Sequence, residues 1–178
     1  MKPGRVIVIG YGNDLRGDDG VGQEVAKALC FGRHSVPAVA PAGFFWSPQL
    51  LPEMALDLSG SRFAVFVDAA YDGNPPGSVN VHRLDPESTA GDGPAGRAGA
   101  VGCWLDLSPK RLLSLSRQLY GHAPPAVLVT VSVGAAEIGE VLSPPVRAAV
   151  PVAVEAVRRV VASWRLCLAC DKTKVLYA

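Results

Sequence analysis

The chain alternates short apolar runs of strand length with longer segments in which apolar residues recur at helical spacing. Three runs are continuous and rich in β-branched or aromatic residues, as in strands that are buried on both faces: residues 6–10, 63–67 and 127–131. Residues 36–40 form a weaker run. Residues 78–82 alternate polar and apolar side chains after a turn rich in Gly and Pro, which is typical of a half-exposed antiparallel edge strand.

Four segments with helical spacing separate these runs. The first begins at Val21, and each of the other three follows a Ser-Pro pair, which combines a helix cap with a first-turn proline: Ser47-Pro48, Ser108-Pro109 and Ser143-Pro144. Pro52 predicts a delayed start of the second helix, and Pro151 predicts a kink or a second start in the last one. Strands alternating with amphipathic helices predict a three-layer α/β/α fold, with a mostly parallel sheet of about five strands and one antiparallel edge strand.

Composition narrows the class of protein. With 178 residues, of which 49% are hydrophobic and 19% charged, one globular domain is expected, and we assign it to residues 1–165 with a tail at 166–178. With a net charge of +1, the chain lacks the excess of positive charge that is typical of proteins that bind nucleic acid or an anionic membrane. No signal-peptide pattern and no membrane-length apolar run are visible, so a cytoplasmic location is expected. Cys167 and Cys170 form a single C-x-x-C pair, which is weak evidence for zinc or redox chemistry.

Carboxylates follow two strands of the predicted sheet. Asp18 and Asp19 come after the first strand, and Asp68 ends the third. Asp106 precedes the helix from Ser108, which must start at the carboxyl edge to lead back into a parallel strand. Ligands of such sheets bind at that edge, where converging carboxylates hold a divalent cation or act as general acid or base. The alternative roles are helix capping by Asp18 or Asp19 and a favourable helix-dipole contact by Asp106.

Other sites are not supported. The segment Gly10-Tyr11-Gly12 follows a strand, but Leu15 stands where a dinucleotide fingerprint requires glycine, and no P-loop is present, so no nucleotide is expected. The histidines are poor ligand candidates. His34 and His122 belong to the opposite edge of the sheet, and His82 lies late in a strand that runs away from the site.

Residues 10–22, GYGNDLRGDDGVG, resemble the N-terminal pattern of the hydrogenase maturation proteases, G-x-G-N-x-L-x-x-D-(D/E)-G-x-G. Residues 66–69, FVDA, are similar to the second acidic motif of that family, and residues 76–78 are similar to the turn that follows it. The resemblance covers residues 5 to 162. It implies an endopeptidase that removes a C-terminal peptide from the large subunit of a nickel-iron hydrogenase after nickel insertion.

In that family an acidic residue of the first motif, the aspartate of the second and a histidine engage the metal. The first two correspond to Asp19 and Asp68, but residues 103–109 contain no histidine, and Asp106 stands at or within one residue of its position. The resemblance therefore implies Asp19 and Asp68 as catalytic groups of an aspartic-type endopeptidase, and Asp19, Asp68 and Asp106 as ligands of nickel carried by the precursor. The alternative is a divergent module that binds a hydrogenase subunit without cutting it.

Overall fold

A computed structural model describes residues 5–32, 42–84, 107–134, 139 and 141–169. They contain a five-stranded sheet in the order β2-β1-β3-β5-β4. Its strands are β1 Val6–Tyr11, β2 Ala42–Ser47, β3 Phe63–Ala70, β4 Val79–Leu84 and β5 Ala126–Ser132. The first three and β5 pair in parallel, whereas β4 pairs antiparallel with β5 at one edge. This arrangement confirms the predicted mixed sheet with one antiparallel edge strand.

Helices cover both faces of the sheet. They are α1 Val21–Phe31, α2 Met54–Ser59, α3 Pro109–Tyr120 and α4 Pro144–Ala169, and a short 3-10 turn, Gly17–Gly20, precedes α1. The boundaries of α3 follow from its sequence. The Ser108 hydroxyl accepts a hydrogen bond from the Arg111 amide, and Gly121 ends the helix in the left-handed conformation with φ of 74°.

Alternate residues of the strands enter two separate cores. One face, which includes Val8, Val65 and Val129, packs against α1 and α4. The opposite face, which includes Ile9, Phe66 and Leu128, packs against α2 and α3. Because side chains of a strand alternate between faces, a residue's position along β3 or β5 also determines which helical layer it meets. The three-layer architecture is therefore confirmed.

Some element boundaries differ from the predicted ones. The second strand lies at Ala42–Ser47, where Phe44, Phe45 and Trp46 supply the apolar run, and the predicted residues 36–40 lie outside the described residues. Strand β3 does not end at Asp68 but continues to Ala70, because it stays paired with β5 through Ser132.

The predictions made from Pro52 and Pro151 have different outcomes. Helix α2 starts only at Met54, as Pro52 predicts. Pro151 lies inside α4, so the predicted second start does not occur, and the helix continues to Ala169, beyond the expected domain boundary at residue 165. None of the helices in the described part of the chain has the length and apolarity needed to cross a membrane.

Candidate functional site at the carboxyl edge of the sheet

The loop between β1 and α1 is held against the sheet by glycines that approach other backbone atoms closely. A Cβ on Gly10 would overlap the carbonyl oxygen of Gly22, and one on Gly22 would overlap those of Tyr11 and Val67. Gly12 has φ of 130°, and its Cβ would overlap the Asp19 carbonyl. The glycine spacing of residues 10–22 therefore lets α1 begin in direct contact with the ends of β1 and β3.

Asp19 lies in the 3-10 turn of this loop and is 5% exposed. Its Oδ2 accepts a hydrogen bond of 2.9 Å from the backbone amide of Asn13. Within the same loop, the Gln23 side chain donates to the Gly12 carbonyl at 2.7 Å and is itself buried. The bond from the Asn13 amide orients the Asp19 carboxylate, and the Gln23 bond holds the loop that contains it.

Asp18 has a different and structural role. Its two carboxylate oxygens accept hydrogen bonds from the backbone amide of Ser143 at 2.6 Å and from the Ser143 hydroxyl at 2.8 Å. Ser143 directly precedes α4, so Asp18 connects the first loop to the start of the last helix. Neither Asp18 nor Asp19 caps α1, because the N-cap residue of that helix is Gly20 and no side chain forms a capping hydrogen bond there.

Asp68 lies in β3, two positions before the end of the strand, and is half-buried. Its Oδ1 accepts a hydrogen bond of 2.9 Å from the amide of Ala69. Strands β1 and β3 are parallel neighbours, so the loop after β1 and the last residues of β3 meet at one edge of the sheet. The structure thus places Asp19 and Asp68 at the same carboxyl edge, as the sequence predicts.

The third predicted ligand, Asp106, lies outside the described residues, as do His34 and Cys170. Among the residues that are described, no group of three or more His, Cys, Asp or Glu side chains is arranged to hold a metal ion. Cys167 is not part of a disulfide bond in the described part of the chain.

The other two histidines lie in different parts of the fold. His122 Nε2 lies 3.2 Å from the Ser61 carbonyl, at the edge opposite to the carboxylates. His82 is in β4, and its Nε2 lies 3.3 Å from the hydroxyl of Thr130 in β5. The sequence suggested no partner for His82, since Thr130 is separated from it by 48 residues.

A hydrogen-bonded turn follows β3 near the same edge. Asp72 accepts bonds from the backbone and side chain of Asn74 and from the Ser132 hydroxyl, which ends β5. Desolvation raises the pKa of Asp72, but the bonds from Asn74 and Ser132 together outweigh it, so this pKa lies below its ordinary value of 3.8. The carboxylate of Asp72 is thus part of the structural support of the edge.

A groove of about 540 Å³ opens beside the first loop, between α1 and the start of α4. Its walls combine charged side chains with apolar ones: Asp14, Glu24, Lys27, Arg147, Val141, Leu142, Val150 and Pro151. The volume is in the range of ordinary ligand sites. The carboxyl edge therefore adjoins a concave surface on the side of α1 and α4.

Comparison with solved structures identifies the architecture. The NiFe hydrogenase maturation protease HycI from Thermococcus kodakarensis matches with a TM-score of 0.66 and 21% identity, covering 91% of this chain and 94% of that one. The hydrogenase maturating endopeptidase HybD from E. coli matches with a TM-score of 0.64 and 23% identity, covering 86% and 89%. A hydrogenase 2 maturation peptidase from a Thaumarchaeota archaeon matches with a TM-score of 0.60 and 24% identity, covering 87% and 96%.

No protein-family model matches the chain, and no curated protein sequence matches it. The structural similarity nevertheless extends over nearly all of each chain, and the three matched structures are all peptidases of hydrogenase maturation. The glycine-rich loop and the two acidic segments occupy the carboxyl edge of the sheet, as the order of strands and helices in the sequence predicts. This chain has the fold of the hydrogenase maturation proteases.

Proposed function

We propose that this protein is an endopeptidase that removes a C-terminal peptide from the nickel-loaded large-subunit precursor of a nickel-iron hydrogenase, in the cytoplasm. The observation that carries the proposal is the placement of Asp19 and Asp68 at one edge of a sheet with the fold of the maturation proteases. Asp19 is buried and held by the Asn13 amide, and Asp68 is held by the Ala69 amide. Two oriented carboxylates at one edge of the sheet suit recognition of a cation carried by a protein substrate.

In this proposal the nickel ion is part of the substrate. Asp19 and Asp68 complete its coordination, and they thereby position the precursor so that the peptide bond to be cut lies at the carboxyl edge. The attacking water is polarised by the cation or loses its proton to a carboxylate, which leaves a cleaved amine and a new C-terminal carboxylate. Asp106 is proposed as a third ligand. A carboxylate in place of imidazole makes the site harder and more anionic, which lowers its affinity for a borderline metal such as nickel.

The test is cleavage of nickel-loaded and nickel-free precursor, followed by mass spectrometry of the product. We expect wild-type protein to shorten only the loaded precursor. Asp19→Asn and Asp68→Asn should abolish cleavage, and Asp106→Asn should slow it. Glu155→Gln is a matched control, because Glu155 is an exposed carboxylate of α4 and does not line the groove. Cleavage that survives Asp68→Asn would refute the site. Complex formation without shortening of any precursor would instead select the binding module that does not cut.

A further inference from the structure

Gln23 is a buried polar residue among the apolar positions of α1. It is 3% exposed, and the other buried residues of this helix are valine, glycine, alanine and leucine. It lies one position beyond the motif of residues 10–22, so the sequence resemblance assigns it no role. A buried amide lowers stability unless its polar atoms form hydrogen bonds, so the partner of Gln23 indicates what this side chain does.

The partner of Gln23 belongs to the peptide unit that joins Gly12 to Asn13. Nε2 of Gln23 donates to the Gly12 carbonyl at 2.7 Å, and the Asn13 amide donates to Asp19 Oδ2 at 2.9 Å. That carbonyl and that amide are the two polar ends of one planar group, and they point in opposite directions in the trans form that non-proline peptide bonds adopt. Gln23 and Asp19 therefore hold the same rigid plane from opposite sides.

The angle of this plane has little restraint from Gly12 itself. Gly12 has φ of 130°, a conformation that favours glycine, and its amide donates to the Ser47 carbonyl at 3.2 Å. The bond to Ser47 fixes the chain before the plane, but glycine has no Cβ to limit the rotation about ψ that follows. The bond from Gln23 to the carbonyl thus fixes the angle at which the Asn13 amide meets Asp19.

The bond from Gln23 also strengthens the bond to Asp19. A carbonyl that accepts a hydrogen bond is polarised, which makes the amide of the same peptide unit a better donor, by about 10–30% per bond. The bond from the Asn13 amide to a carboxylate is charge-assisted, so it depends on both the direction and the strength of the donor. The orientation of the Asp19 carboxylate therefore depends on Gln23 through this one peptide unit.

We propose that Gln23 is a positioning residue of the carboxylate site, which orients Asp19 through the peptide unit between Gly12 and Asn13. The inference rests on the proposed function, because Asp19 is the residue that engages the nickel of the precursor there. Removing a group that orients a metal-binding side chain lowers metal affinity or activity by about 10- to 100-fold. A residue that only filled space in α1 would have no such effect when an apolar residue of similar size replaced it.

Amide hydrogen exchange, followed by NMR in the protein alone, tests the connection. Gln23→Met keeps the length of the side chain and loses the donor, so we expect the Asn13 amide to exchange about tenfold faster, as loss of one ordinary hydrogen bond would produce. Gln23→His, whose Nε2 donates from nearly the same position, should restore most of the protection. Gln118→Met, the same replacement at an exposed position of α3, should leave the Asn13 amide unchanged.

The amide of Val65 in the sheet core distinguishes a local effect from damage to the fold. An Asn13 amide that exchanges no faster in Gln23→Met than in wild type, or that accelerates only as much as the Val65 amide does, would overturn the connection. If Gln23→Met does not fold, Gln23→Leu removes the same donor and takes its place in the comparison. Thermal unfolding of each variant sets the temperature of the exchange measurement well below its Tm.

Cleavage of nickel-loaded precursor tests the consequence for the reaction. We expect Gln23→Met to lower kcat by about 10- to 100-fold with a smaller change in KM, because a protein substrate also binds through surfaces outside one carboxylate. Gln23→His should recover part of this loss, and Gln118→Met should cut at the wild-type rate. If Asp19→Asn abolishes cleavage while Gln23→Met cuts as fast as wild type, only the inference fails. If Asp19→Asn changes nothing, or if wild type cuts no precursor, the proposed function fails and the inference fails with it, even where the Asn13 amide exchanges as expected.

Discussion

Replacing Asp18 by alanine should destabilise the fold without removing a group that acts on the substrate. Asp18 is 9% exposed, and its carboxylate accepts two hydrogen bonds from Ser143, which is 125 residues away in the sequence. Hydrogen bonds to a charged group contribute roughly 1.5–3 kcal/mol each, and part of that loss is regained if water reaches the orphaned donors. We therefore expect the free energy of unfolding to fall by about 3 kcal/mol, which lowers Tm by roughly 6–12 °C in a domain of this size.

The partner residue supplies an internal check. Ser143→Ala removes only the hydroxyl donor and keeps the backbone amide bond, so we expect a loss of about 1–1.5 kcal/mol. The hydrogen bond between the two side chains is lost in each single variant and can be lost only once in the double variant. The double-mutant cycle should therefore give a coupling energy of about 1 kcal/mol between Asp18 and Ser143. Asp14→Ala, an exposed change in the same loop, should stay within about 0.5 kcal/mol of wild type.

Urea unfolding monitored by circular dichroism measures wild type and the four variants under one set of conditions. Simple additivity of the Asp18→Ala and Ser143→Ala losses, or an Asp18→Ala protein as stable as wild type, would refute the structural role. Cleavage measured well below the Tm of the variant should remain within several-fold of wild type. A folded Asp18→Ala protein without activity would show that Asp18, and not only Asp19, belongs to the reacting site.

Three further predictions follow from packing and from hydrogen bonding. Gly22→Ala should unfold the protein or lower its free energy of unfolding by more than about 4 kcal/mol, because the added Cβ would overlap two backbone carbonyls. Gly73 has open space around it and φ of 77°, so Gly73→Ala should lower the free energy of thermal unfolding by only about 1–2 kcal/mol. The rings of Trp164 and Phe63 are stacked with their centroids 4.9 Å apart, so Trp164→Ala should lower the free energy of unfolding in urea by about 3–5 kcal/mol. Leu166→Ala, at an exposed position of the same helix, should lower it by about 0.5 kcal/mol or less, and similar losses for the two variants would contradict the prediction. Because the pKa of Asp72 is lowered in the folded state, its carboxylate contributes stability above the unfolded-state pKa near 3.8, and this stability is lost as the pH falls through the folded-state pKa. Asp72→Asn should therefore make Tm depend less steeply on pH below about pH 4, and an unchanged dependence would contradict the prediction.

Much of the site's location could be predicted from order along the chain. Asp19 and Asp68 each follow or end a buried apolar run, and parallel strands bring their carboxyl ends to one edge, so the two were expected to meet there. The glycines of residues 10–22 also had a local signal, since their spacing matches a known motif. Boundaries were less predictable, because pairing with β5 extends β3 past Asp68 and aromatic residues place β2 later than the β-branched run.

The sequence by itself determined the alternation of strands and helices, since backbone periodicity and the burial of one face leave a repeating pattern in neighbouring residues. The motif singled out Asp19, the choice between Asp18 and Asp19 as a helix cap was left open, and His82 was set aside. Only the tertiary structure showed what each aspartate contacts, by bringing Ser143 to Asp18 and the Asn13 amide to Asp19, and only the register of β4 against β5 brought His82 to Thr130. A side chain's partner depends on which distant segments the fold brings beside it, and that choice has no local signature in the sequence.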